Sequence, residues 1–129
     1  MEKMRLHHIG IATSSITDMI ERLKKNTDVV SVSNIMFDPE QNAELCMVRT
    51  QDGTDIELIQ GEVVNKLVKK GQYLYHLCWE TDDIEARLQQ LIDDGGMLVS
   101  PMKKAVLFDG RRVAFVMTKL GLTELLESC

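Results

Sequence analysis

Basic stripes, membrane-length apolar runs, glycine-rich phosphate loops and paired CxxC motifs are all missing from this 129-residue chain. Each absence removes a class of function. A net charge of −5 with no basic patch excludes a nucleic-acid partner. No apolar run approaches the roughly 20 residues that a membrane span needs, so no membrane partner is expected. Met1 to Arg5 leads directly into strand-like sequence with no secretion signal in view, and a cytoplasmic setting is expected. Cysteine is scarce. Cys46, Cys78 and Cys129 are odd in number and lack metal-motif spacing, so they read as reduced thiols. There is no serine-triad pattern, and no linker or low-complexity stretch divides the chain. A hydrophobic fraction of 44% and a charged fraction of 27% then describe one ordinary globular domain, long enough to bury a core.

What is present is a repeat. His8 and Glu57 lie 49 positions apart, and His76 and Glu124 lie 48 apart. A shift of 68 carries His8 onto His76, Met47-Val48-Arg49-Thr50 onto Phe115-Val116-Met117-Thr118, and Gly53 onto Gly121. One deletion after Gly121 then lays Ile56-Glu57-Leu58-Ile59 on Thr123-Glu124-Leu125-Leu126. Self-similarity of this kind predicts two copies of one structural unit. Each copy offers one imidazole and one carboxylate, and the four side chains make a ligand set for one divalent metal ion.

The periodicities predict the same order of elements in both copies. Leu6–Thr13 is a short apolar strand, and Ser14-Ser15 caps a helix carrying Ile16, Met19, Ile20 and Leu23 on one face. Val29–Phe37, Glu44–Thr50 and Thr54–Gln60 read as strands, with turns at Asp38-Pro39 and Gln51-Asp52-Gly53. Residues 61–71 form a connector with a short helix through Val64, Leu67 and Val68. In the second copy Tyr73–Thr81 is a strand and Asp82-Asp83 opens a helix that Gly95-Gly96 ends. Met97–Phe108 is a strand interrupted at Pro101, Asp109-Gly110 turns the chain, and Arg112–Thr118 and Leu122–Glu127 close the unit. The expectation is one α+β domain of two tandem βαβββ modules, about 5–61 and 72–129. Their strands form a cupped mixed sheet with the helices on its outer face.

Alternation along the strands assigns candidate side chains to faces. His8, Gly10 and Ala12 share one face, and His76 and Cys78 share its counterpart. Glu44, Cys46 and Val48, with Arg112, Ala114 and Val116, are placed on that same polar, cavity-lining face. On this assignment Glu44 is a candidate base for a proton next to a metal-bound carbonyl, and Arg112 a candidate fork for an anionic substrate group. The alternative is that Glu44 and Arg112, equivalent at the shift of 68, simply pair with each other. Four protein ligands on a six-coordinate ion leave two positions open, as a Lewis-acid site requires. Ligand type alone does not choose among Co, Zn, Ni, Mn and Fe.

Leu6-His7-His8-Ile9-Gly10-Ile11-Ala12-Thr13 and Tyr75-His76-Leu77-Cys78-Trp79-Glu80-Thr81 resemble the two repeat openings of the vicinal oxygen chelate superfamily. That is the glyoxalase, bleomycin-resistance and extradiol dioxygenase group, and the resemblance is strongest to methylmalonyl-CoA epimerases and small glyoxalase-like proteins. It implies paired modules around one metal, with His8, Glu57, His76 and Glu124 at the ligand positions and Glu44 at the place of a base. It implies a metal-dependent isomerase or epimerase acting by α-proton abstraction on a small-molecule substrate. A glyoxalase I-like lyase on a thiol adduct and a non-catalytic, resistance-type binder remain the alternatives. Glu124, released from the metal, is the second candidate base. Homodimerisation fits this reading, but no ligand has to come from a second chain.

Overall fold

The computed structural model describes residues 3–129. The chain divides into two compact units, His8–Tyr75 and a second made of residues 3–7 with His76–Cys129. Strand β1 (Met4–Ala12) therefore contributes its opening residues to one unit and His8 onward to the other.

In the unit His8–Tyr75, β1 leads into α1 (Ile16–Asn26), then β2 (Val29–Val32), β3 (Met36–Asp38), β4 (Ala43–Thr50), β5 (Asp55–Gly61) and α2 (Glu62–Lys69). The strand order is β2-β4-β5-β1, and β3 is also paired with β4. β1 and β5 run parallel, and the other pairs are antiparallel. Helix α1 starts where Ser15, in an extended conformation, accepts the amide of Asp18 at 3.2 Å, and Lys24 and Lys25 sit in its last turn. Its apolar stripe, Ile16, Met19, Ile20 and Leu23, packs on Cys46, Val48 and Leu58. Each fully buried aliphatic side chain there contributes roughly 1.5–3 kcal/mol. The stretch expected as one strand over 29–37 is instead β2 and β3. Ser33 ends the ladder, its hydroxyl taking the Met47 amide at 2.8 Å in place of a backbone carbonyl. Gly61 joins β5 to α2 at φ 155°, and a Cβ there would lie 2.9 Å from the Asn42 carbonyl oxygen, so only glycine fits.

In the other unit β6 (Leu74–Thr81) is followed by α3 (Ile84–Asp93), β7 (Met97–Lys104), a 3₁₀ turn at Val106–Phe108, β8 (Arg112–Thr118) and β9 (Gly121–Glu127). The order is β6-β9-β8-β7, parallel at β6–β9 and antiparallel elsewhere. Asp83 caps α3 by accepting the Ala86 amide at 3.1 Å. The pairing of β7 with β8 slips between Leu98 and Ser100 and again between Ser100 and Lys103, around the proline expected to interrupt it. The opening residues of the chain are tied to this unit. Arg5 bonds Glu80 and Asp82, each at 3.2 Å, and the ring of His7 stands edge-on to Phe108.

The α+β class is as the sequence predicts, and the βαβββ order recurs in both units with β3 as an extra short strand in the first. Among the described residues no helix is long and apolar enough to cross a membrane.

Candidate functional site

Strand register decides which side chains share a face, because residues directly opposite in a ladder point the same way. In the unit His8–Tyr75, Gly10 is opposite Glu57 across β1 and β5, and Met47 is opposite Glu57 across β5 and β4. His8, two residues before Gly10, therefore shares the face of Glu57, together with Ala12, Ile59, Leu45, Met47 and Arg49. The opposite face carries Ile11, Ile56, Leu58, Cys46 and Val48 and lies under α1. His8 Nε2 is 3.8 Å from Glu57 Oε1, and both residues are buried, at 1% and 4% exposure.

The unit containing His76 builds the same arrangement. Glu124 is opposite Cys78 on β6 and opposite Phe115 on β8, so it shares a face with His76, Cys78, Phe115, Val113 and Leu126. His76 Nε2 is 3.0 Å from Glu124 Oε1, and the Phe115 ring stands edge-on to His76 at 5.3 Å. His76 and Glu124 are 2% and 3% exposed. Each repeat thus presents one buried imidazole–carboxylate pair between apolar walls, and the four side chains are of the types that hold a divalent ion.

Two sequence-derived assignments need correction. Glu44 does not share the face of His8 and Glu57. It lies opposite Gln60, on the face of Cys46 and Val48 that α1 covers, and it is solvent-exposed there. Leu45 and Met47 are the β4 residues next to Glu57. Arg112 is likewise on the α3 side of β8. Its Nη1 bonds Glu85 of α3 at 2.8 Å, and its Nε and Nη2 bond Glu127 at 3.1 and 2.7 Å. These two carboxylates raise the pKa of the guanidinium, and Arg112 in turn holds Glu127 below the usual carboxylate range. The ion pair considered between Glu44 and Arg112 is replaced by these bonds. Alternation had fixed the faces within each strand, but the phase between strands is set by the ladder.

Other ionisable groups sit around the pairs. Glu80, two residues beyond Cys78, accepts from Arg111 at 2.7 Å and from Arg5 at 3.2 Å. Burial works against its charge, but these two guanidinium groups hold its carboxyl below the ordinary value. Burial pushes the Cys46 thiol up, and its contact with Ser33 only partly opposes this, so it is an inert packing group. Sequence reasoning missed Arg49, which lies on the face of Glu57 and bonds Asp55 through Nε at 2.7 Å and Nη2 at 2.9 Å. The register that misplaced Glu44 also hid Arg49.

Fold and side chains together define a class, an α+β protein of two βαβββ repeats with a buried histidine–glutamate pair in each. Residues 7–115 match the family model described as the Glyoxalase/Bleomycin resistance protein/Dioxygenase superfamily, and the chain belongs to that superfamily. A sequence comparison with curated proteins finds no significant match. Among solved structures, the chain is similar to methylmalonyl-CoA epimerase from Mycobacterium tuberculosis, with a TM-score of 0.79 at 20% identity, covering 96% of this chain and 87% of that one. A variant of the Streptomyces coelicolor methylmalonyl-CoA epimerase, in complex with 2-nitronate-propionyl-CoA, gives a TM-score of 0.74 at 23% identity, covering 97% of each chain. A hypothetical protein from Bacillus halodurans gives 0.75 at 22% identity, with 98% of this chain and 96% of that one covered. At these identities the likeness establishes the fold.

Proposed function

We propose that His8, Glu57, His76 and Glu124 act together as one four-ligand site for a divalent metal ion, complete within one chain. On this reading the protein is a metal-dependent isomerase or epimerase that removes a proton from the carbon next to a carbonyl. The observation that carries it is that the chain builds the same buried imidazole–carboxylate pair twice, at matching positions of its two repeats.

The donor set fits such an ion. Two imidazoles and two carboxylates suit Co, Zn, Ni, Mn or Fe. Two carboxylates removed from water are costly unless positive charge compensates them, and a divalent ion matches their combined charge. Bound there, the ion supplies Lewis-acid polarisation of a substrate carbonyl. The chain's own groups then bind, orient and carry the proton. Glu124, released from the metal, is the acceptor for the α-proton. Its Oε1 lies 3.0 Å from His76 Nε2, and the Phe115 ring stands edge-on to that imidazole. Val113, Phe115 and Leu126 on the same face exclude water from the carboxylate. Glu57 is walled in the same way by Leu45, Met47 and Ile59. The likeness to methylmalonyl-CoA epimerases makes 2-substituted acyl-CoA thioesters the first substrate class to try.

A second reading follows from the corrected position of Glu44. On the His–Glu faces β4 and β8 offer Leu45, Met47, Val113 and Phe115, and no carboxylate. A site whose β4 and β8 walls carry no base is also suited to holding a small molecule without turning it over. Screening decides between them. Acyl-CoA thioesters and 2-oxoaldehyde–thiol adducts are incubated in D₂O with added Co²⁺, Ni²⁺ or Zn²⁺ and weighed by mass spectrometry. Deuterium uptake that Glu124→Gln abolishes while metal content is retained supports the isomerase. Conversion of the thiol adduct supports the glyoxalase-like lyase, and saturable binding without exchange supports the binder.

A further inference from the structure

We infer that Arg49, held in place by Asp55, anchors an anionic group of the substrate, a carboxylate or a phosphate, on the same sheet face as Glu57. This rests on the reading of Glu57 as part of the reaction site. It adds a substrate class, namely carbonyl compounds that carry a negative charge a short distance from the reacting carbon.

The geometry begins with the guanidinium. Arg49 gives Nε–H and one Nη2–H to the two carboxylate oxygens of Asp55, at 2.7 and 2.9 Å. A guanidinium has five N–H donors in a rigid planar fork, so this bond occupies one edge and leaves the Nη1–Nη2 edge, with its parallel donors, facing away. Among the described residues no protein group takes that edge. Asp55 is largely buried, its side chain 14% exposed, whereas Arg49 is 55% exposed. The carboxylate is the fixed member and the guanidinium the presented one.

A cavity of about 240 Å³ opens at this place, lined by Ser31, Val32, Ser33, Met47, Arg49 and Asp55. Ser31 is opposite Arg49 across β2 and β4, so its exposed hydroxyl is a further donor on the same face. Met47 forms the apolar floor between this cavity and Glu57. The β4–β5 ladder fixes the spacing. Arg49 is opposite Asp55 and Met47 is opposite Glu57, so the Arg49–Asp55 pair stands one same-face step, roughly 7 Å of backbone, along the sheet from Glu57. A bidentate fork at that distance suits a short acid or phosphoester whose carbonyl end reaches Glu57.

The test uses the metal-free full chain and two probes, malonate and inorganic phosphate, each titrated at constant ionic strength. The Nε–H signals of the arginines are followed by NMR, and that of Arg49 is identified by its absence in Arg49→Lys. The expected result is a saturable shift of the Arg49 signal with at least one probe, the tighter one identifying the preferred anion. Affinity should fall by about tenfold or more in Arg49→Gln and also in Arg49→Lys, which keeps the charge but lacks the fork. Asp55→Asn separates a built site from general attraction. Removing a negative charge would strengthen non-specific anion binding, whereas loss of the positioning partner weakens it. No saturable shift with either probe, unchanged affinity in Arg49→Gln, or tighter binding in Asp55→Asn overturns the inference. Metal content is read in parallel and should be equal in wild type and Arg49→Gln. Loss of anion binding with metal retained is thus distinct from failure of the metal reading.

Discussion

Phe115 lies opposite Glu124 across β8 and β9 and sets its ring edge-on to His76 at 5.3 Å, so one aromatic side chain braces both members of a histidine–glutamate pair. The ring is 6% exposed. Phe115→Ala should lower unfolding stability by about 3–5 kcal/mol in urea titrations, as removal of a buried aromatic does. Phe115→Leu should cost clearly less, because it refills most of the space. In the leucine variant metal affinity should still fall, since the imidazole loses the surface that fixes its orientation.

Arg112 belongs to the scaffold on this account. Its bonds to Glu85 and Glu127 join β8 to α3 and to the end of β9, on the face away from His76 and Glu124. Arg112→Gln should leave metal content and any deuterium exchange unchanged while slightly lowering the melting temperature. A large loss of substrate affinity in this variant would return Arg112 to the site.

Glu80 gives the chain an acid-sensitive tie. Its carboxyl is held below the ordinary glutamate value by Arg111 and Arg5 despite partial burial. A depressed carboxylate contributes stability that is fully present above its unfolded value, near 4.5, and is lost as pH falls through the folded value. Unfolding measured between about pH 6 and pH 3 should therefore show stability declining below roughly pH 4.5. Glu80→Gln should start lower at neutral pH and decline less steeply.

Element order and the histidine–glutamate pairs were legible because they rest on signals within a strand or helix. Ser15 and Asp83 cap the helices where the sequence places them, and the repeat shift of 68 put His8 and His76 at matching strand positions. Faces between strands were not legible. Alternation leaves each strand two choices, and polar Glu44 and Arg112 were drawn toward the polar face. Cys46 and Val48, small and apolar, decide the phase of β4 by packing under α1, and that packing puts Glu44 on the α1 face and Arg49 on the face of Glu57. The same holds for β8. Val116 packs against the turn after α3, where a Cβ on Gly96 would come within 2.9 Å of it, and this carries Arg112 to the helix side. The opening residues joined the second unit through Arg5 and His7, contacts of long sequence separation that no local pattern encodes.

Metal stoichiometry tests the central claim most directly. Protein purified without chelators and reloaded with Co²⁺ or Zn²⁺ is measured by elemental analysis beside His8→Ala and His76→Ala, one from each repeat. If the four side chains serve one ion, wild type carries one metal per chain and each single substitution removes nearly all of it. Two ions per chain, loss of only half the metal in each variant, or equal metal content in all three samples would contradict it.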